Sequence, residues 1–131
     1  MATFFCTACW TAVPETAARC PACGADLRAL DVESFDRKLV RALQSPDAST
    51  VRRAVEVLGR RAPPHAASAL LRRYRAGADP YLAAEIARAL GRIGTGEAAK
   101  ALRVLADDRS VIVRRAVYEA HAMLSRQDAN A

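Results

Sequence analysis

From about residue 33 onward the apolar positions fall at helical spacing. Val51, Ala54, Val55 and Leu58 recur at intervals that place them on one helix face, and so do Ala83, Ile86, Ala87 and Leu90. The pattern predicts helices over 49–61, 80–93 and 110–125, with shorter helices over 64–76 and 96–107 between them. A leading helix over 33–44 carries Phe35, Leu39, Val40 and Leu43. Punctuation agrees with this division. Asp79-Pro80 offers an N-cap followed by a preset first turn, and Gly94 stands where a helix should stop. Pro63-Pro64 and Thr95-Gly96 interrupt the pattern between paired helices. The last helix shows Val113, Val117, Tyr118, Met123 and Leu124 before the chain turns polar at 127–131.

The helices repeat. DASTVRRAVEVLGRRA from Asp47, DPYLAAEIARALGRIG from Asp79 and RSVIVRRAVYEAHAML from Arg109 align under one another. Gly59 and Gly91 are 32 residues apart, and VRRAV at 51–55 returns at 113–117. A period near 30 marks stacked supersecondary units. Taking 49–61 with 64–76 and 80–93 with 96–107 as units leaves half a unit at each end of the array.

These segments, "D…VRRAVEVLG", "DPYLAAEIARALGRIGTGEAAKALRVLADD" and "VIVRRAVYEA", resemble the HEAT repeats, and more narrowly those of phycobilisome lyases, over about residues 33–125. The resemblance implies a short α-solenoid that serves as a binding scaffold, with the second helix of each unit lining the concave face. It also implies that an Asp before a helix pairs with an Arg inside it. Asp47 with Arg52, and Asp79 or Asp108 with Arg114, are the expected pairs, while Ala84 occupies the third such position and cannot pair.

The first 30 residues are of another kind. They hold all four cysteines, Cys6, Cys9, Cys20 and Cys23, as two C-x-x-C pairs. A short turn points both thiolates of a pair at one ion, and the second pair completes a tetrahedron. Pro21 and Gly24 favour that turn. Four thiolates make a closed, structural site, with zinc the expected ion; iron fits the same donor set. Adjacent pairs in a leaderless chain argue against disulfides, and a redox role lacks its βαβ context. CPACG closely resembles the knuckle of the short zinc ribbons; CTACW departs from it in having Trp10 where glycine is frequent. So short a segment needs its metal to fold. Phe4, Phe5, Trp10 and Val13 pack around the metal or against the array, with an exposed Trp10 as the alternative, a partner anchor. The module is expected to cap the open face of helix 33–44.

Composition sharpens this reading. Hydrophobic residues make up 52% and aromatics only 5%, which favours close helix packing over a β-sandwich. The fold class is therefore mainly α: a solenoid of HEAT-like hairpins over 31–126, preceded by a zinc-ribbon module over 1–30 and followed by a polar tail over 127–131. No leader and no membrane span are visible, so a cytoplasmic protein is expected.

The net charge of +6 is concentrated in residues 37–75, which hold ten Lys/Arg against two Asp/Glu. Arg41, Arg72, Arg73, Lys100 and Arg103 lie on the helices taken as second, and are the expected contact residues for a protein partner, an acidic one fitting best. The alternative partner is a nucleic-acid phosphate backbone. The free apolar surface of the last helix suggests self-association.

Nothing indicates catalysis. His65 and His121 have no nearby nucleophile, and both precede Ala, unlike the His-Glu pairs of iron-binding HEAT-like hydroxylases. His121 replaces the repeat glycine and is expected to fill packing space. Glu56, Glu85 and Glu119 fall out of register, with no sign of convergence. The chain reads as a non-enzymatic adaptor.

Overall fold

The computed structural model describes residues 4–31 and 34–129, which form a two-stranded sheet and seven helices. The strands are β1 (Phe4–Phe5) and β2 (Ala12–Val13), and the helices are α1 (Leu27–Asp31), α2 (Phe35–Ala42), α3 (Ala48–Arg61), α4 (Ala66–Arg75), α5 (Pro80–Ile93), α6 (Gly96–Leu105) and α7 (Val111–Ala129). Five of these match the expected helices 49–61, 64–76, 80–93, 96–107 and 33–44 closely, although residue 33 lies outside the described residues. The last helix runs further than 125. Leu124 packs on the core and Gln127 reaches Gly94, so the final turns remain anchored. Residues 130 and 131 of the expected tail lie outside the described residues.

The caps explain the boundaries. Ser34, Asp47, Asp79 and Thr95 each accept a hydrogen bond from a first-turn amide of α2, α3, α5 and α6, respectively. Gly94 ends α5 in the left-handed region, at φ 69°, as its position in the sequence indicated. Ala62 ends α3 in the same region without being a glycine, and Pro63 then bars the helix from continuing.

The helices stack in two layers. α3, α5 and α7 lie side by side in one, packed extensively, while α2, α4 and α6 form a looser second layer. Leu58, Leu70, Ile86, Leu90, Leu102, Leu105 and Val113 are fully buried between them, and no polar or charged residue is buried among the described residues.

Glycine sets the spacing of the tighter layer. A Cβ on Gly59 would lie 3.1 Å from Ala89, and one on Gly91 would lie 2.8 Å from Cβ of Ala120. The 32-residue glycine repeat is thus a record of close helix approach. His121 occupies the next glycine register on α7. It is exposed, which corrects the expectation that it fills packing space.

Packing corrects the grouping of helices in part. α3 hardly packs on α4, the helix paired with it by sequence, whereas α2 packs on α3, α4 on α5, α5 on α6 and α6 on α7. The expected pairing of 80–93 with 96–107 is thus present as α5 on α6, while that of 49–61 with 64–76 is not. The tyrosine hydroxyl of Tyr74 on α4 donates to Asp108 at 2.6 Å and ties one unit to the next.

The expected Asp–Arg pairs are rearranged. Arg52 lies 4.0 Å from Asp79 of the following unit, and Asp47 instead accepts from Thr50 and Ser49 at its own helix start. Arg114 donates to the backbone carbonyls of Asp108 and Arg109 rather than to a carboxylate.

Two outcomes follow from this packing. Gly91→Ala gains about 1 kcal/mol of helix propensity but forces overpacking that costs about 1–3 kcal/mol. Chemical denaturation should therefore show a net loss of about 1 kcal/mol, while Gly96→Ala, where a Cβ meets nothing within 4 Å, should be neutral or stabilising.

Acid should also destabilise the array. Asp36, Asp47 and Asp108 are lowered from 3.8, chiefly by hydrogen bonds from Arg61, Thr50 and Tyr74, respectively. Groups with depressed folded values contribute stability that is present above the unfolded value and lost as pH falls through the folded one. The denaturation midpoint should thus hold at neutral pH and drop below about pH 4, less steeply in Asp108→Asn.

Candidate functional site

The four cysteines are brought together by two successive hairpins. Phe4 pairs with Val13 and Phe5 with Ala12, which places Cys6 and Cys9 in the first turn. A second bridge, Arg19 to Asp26, encloses Cys20 and Cys23. The turns are near copies. The amide of Trp10 donates to the carbonyl of Cys6 at 2.6 Å, and that of Gly24 to Cys20 at 2.9 Å. The amides of Cys6 and Cys20 close the turns onto Thr11 and Ala25. Trp10 adopts φ 64° and Gly24 φ 78°, so the tryptophan takes the left-handed conformation for which glycine is better suited. Its indole Nε1 is buried and unpartnered, and the residue as a whole is half-buried, not a fully exposed anchor.

All four sulfurs lie within 4.8 Å of one another, with Cys6–Cys23 and Cys9–Cys20 at 3.6 Å. None is disulfide-bonded. A tetrahedral ion with metal–sulfur bonds of about 2.3 Å needs sulfurs roughly 3.8 Å apart, so the donor set fits a metal ion. The electrostatics also favour a cation. The Thr11 hydroxyl and amide lower Cys9 to about 6. The Ala25 amide favours the thiolate of Cys23, but desolvation and the three neighbouring sulfurs push it up to about 12. Four crowded thiolates need a positive charge among them.

Among the described residues β1, β2 and α1 make at most sparse contacts with α2–α7. A recess lined by Phe4, Val13, Leu27 and Leu30 reaches Lys38 of α2, while Phe35 on α2 remains 55% exposed. That ring is covered instead from within the array, by the Arg61 guanidinium 4.9 Å from its centroid, and Arg61 is held by Asp36. Cys6 and Cys20 are buried but lie outside the main core, and Phe4 and Phe5 are exposed rather than packed.

The expected contact residues lie on the looser layer. Arg72 and Arg73 are on α4, Lys100 and Arg103 on α6, and Arg41 on α2; Arg73 and Arg41 are half-buried and the others exposed. A groove of about 900 Å³ lies on the other layer, across α3, α5 and the start of α7. Arg52, Arg60, Arg88 and Arg92 line it together with Glu56 and Glu85, over a floor that includes Gly59 and Ala84. Tyr81 and Ile112 lie along it. Glu56 pairs with Arg60 at 3.5 Å and Glu85 with Arg88 at 2.6 Å. The two glutamates thus share a groove that register alone did not indicate. Arg92 has no ionic partner among the described residues. The missed signal was Ala84: a small residue at a position where the neighbouring repeats carry Arg52 and Arg114 leaves room between helices.

The last helix offers less apolar surface than expected. Val113 and Val117 are buried, Met123 and Leu124 are half-buried, and only Tyr118 of that set is exposed. Val113, Val117 and Leu124 turn toward the core, and the exposed apolar surface of this helix is instead that of Val111, Ile112 and Tyr118. No helix among the described residues is long and apolar enough to cross a membrane.

Residues 70–129 match the family model for HEAT repeats. The match spans most of α4 together with α5, α6 and α7. No curated protein and no solved structure matches the chain. The chain is thus mainly α, a helical array similar to HEAT repeats over residues 70–129 and preceded by a four-cysteine module.

Because the module and array have separate cores, metal removal should be local. Cys20→Ser/Cys23→Ser should lose bound metal by elemental analysis, while the helical circular dichroism and thermal transition of α3–α7 persist. Global unfolding on metal loss would contradict the separation.

Proposed function

We propose that this chain is a non-catalytic adaptor whose helical array binds a protein partner and whose four-cysteine module is a zinc ribbon. The groove across α3, α5 and α7 is the observation that supports this reading most directly. It is open, built on rigid helices and lined by side chains that suit recognition. Its glutamates are each held by an arginine, and no nucleophile–base pair lies among its lining residues. Zinc suits four thiolates in a closed site, where it acts structurally. As isolated, a zinc-loaded protein should be colourless, whereas iron on four thiolates would colour it.

A second reading follows from the looser layer. Exposed Arg72, Lys100 and Arg103, with Arg73 beside them, suit phosphate contacts along a nucleic acid. The aromatic residues that would stack bases are sparse there, so such binding would ignore sequence and weaken steeply with salt.

Capture by the immobilised full chain separates these readings. The adaptor reading expects proteins that survive nuclease treatment and are lost with Arg88→Glu/Arg92→Glu. Loss on nuclease treatment, or loss only with Arg72→Glu/Arg73→Glu at the phosphate-like face, supports the second reading. Identical capture by wild type and both variants would overturn binding through the array.

A further inference from the structure

The groove has a chemical polarity that narrows what it takes. Four guanidiniums, those of Arg52, Arg60, Arg88 and Arg92, face two carboxylates. Each glutamate engages one arginine of its own helix, and the Arg52–Asp79 contact is long, at 4.0 Å between exposed groups. Solvent-exposed pairs of this kind are worth little and exchange readily. Positive charge therefore remains available along the recess, at Arg52 near the first turns of α5 and α7 and at Arg60, Arg88 and Arg92 further along α3 and α5.

The ends of the recess are different. Tyr81 and Ile112 are 64% and 41% exposed at one end. A second recess of about 600 Å³ shares Arg52 and Glu56 with the first and is lined also by Leu39, Ala42 and Ala54 with Ser49, Thr50 and Arg53. The surface thus runs from Leu39 and Ala42 on α2, across Arg52 and Arg53 on α3, to Tyr81 on α5 and Ile112 on α7.

We infer that this path binds an acidic peptide segment with apolar residues on either side of its carboxylates. The inference rests on the adaptor reading and names the partner's chemistry. Carboxylates match the guanidinium fork in two parallel hydrogen bonds. The apolar flanks fit Tyr81–Ile112 and Leu39–Ala42. Glu56 and Glu85 add discrimination. They can accept hydrogen bonds from a peptide's amides, but they repel a continuous phosphate backbone, which has no donors to offer them.

The test uses purified full chain and fluorescein-labelled probes: a peptide of glutamates flanked by leucines, its glutamine twin, and single-stranded oligothymidylate. Fluorescence anisotropy should show the glutamate peptide binding at least about tenfold tighter than the twin. Arg88→Glu/Arg92→Glu should weaken it by about tenfold or more, and Arg72→Glu/Arg73→Glu should leave it unchanged. Arg88→Gln/Arg92→Gln serves as a milder substitution if the reversal unfolds α5, and it too should weaken binding. Equal affinity for the twin, tighter binding of oligothymidylate, or sensitivity only to the α4 variant would overturn the inference. If the groove variant loses a captured protein while the two peptides bind alike, the adaptor reading stands and the acidic partner falls. If capture is unchanged in every array variant, the adaptor reading itself falls.

Discussion

The contact of Gly59 with Ala89, repeated by Gly91 with Ala120, is the constraint on which the rest of the array depends. It draws α3, α5 and α7 together more closely than side chains of ordinary size allow. The other layer lacks an equivalent and packs more loosely. A stack whose two layers differ in spacing bends toward the tighter one. The recessed surface therefore falls on α3, α5 and α7, where the groove is found. Two hydrogen atoms in place of two methyl groups position the surface that a partner meets.

The chain joins two solutions to the problem of folding. The array buries leucine, isoleucine, valine and alanine between helices and leaves no charge inside. The first module is too small for that route, and its order depends on drawing four sulfurs to a common point. The two meet with little packing between them among the described residues. Arg61, stacked on Phe35 and paired with Asp36, finishes the array at that end without help from the module. Metal binding can then order the first module without altering the groove.

Much of this was legible in the residues, and the failures share one cause. Helical periodicity located the helices, and caps at Asp79, Thr95 and Gly94 located their ends. The spacing of Cys6, Cys9, Cys20 and Cys23 implied one cluster, and the structure contains it. Yet adjacency in sequence suggested pairing 49–61 with 64–76, and those helices barely touch. Periodicity reports which face of a helix is buried but not which neighbour buries it. The groove lies across α3, α5 and the start of α7, a different layer from the helices α2, α4 and α6 that carry Arg41, Arg72, Arg73, Lys100 and Arg103. The fate of α7 has the same origin: Val113 and Val117 were rightly read as apolar, but the neighbouring helices that cover them were not visible in the pattern.

Ala84 shows how a break in a repeat becomes a site. At the same register Arg52 and Arg114 project into solvent, and an arginine at 84 would have been the third in the row. Alanine forgoes a link between units, which for an exposed ion pair sacrifices little stability. It leaves a floor between α3 and α5 beside which Arg88, one turn further along, and Arg92, two turns along, can meet a ligand. Walls that carry both arginine and glutamate around a small-residue floor offer donors for carboxylates and acceptors for amides, and a peptide is the polymer that carries both.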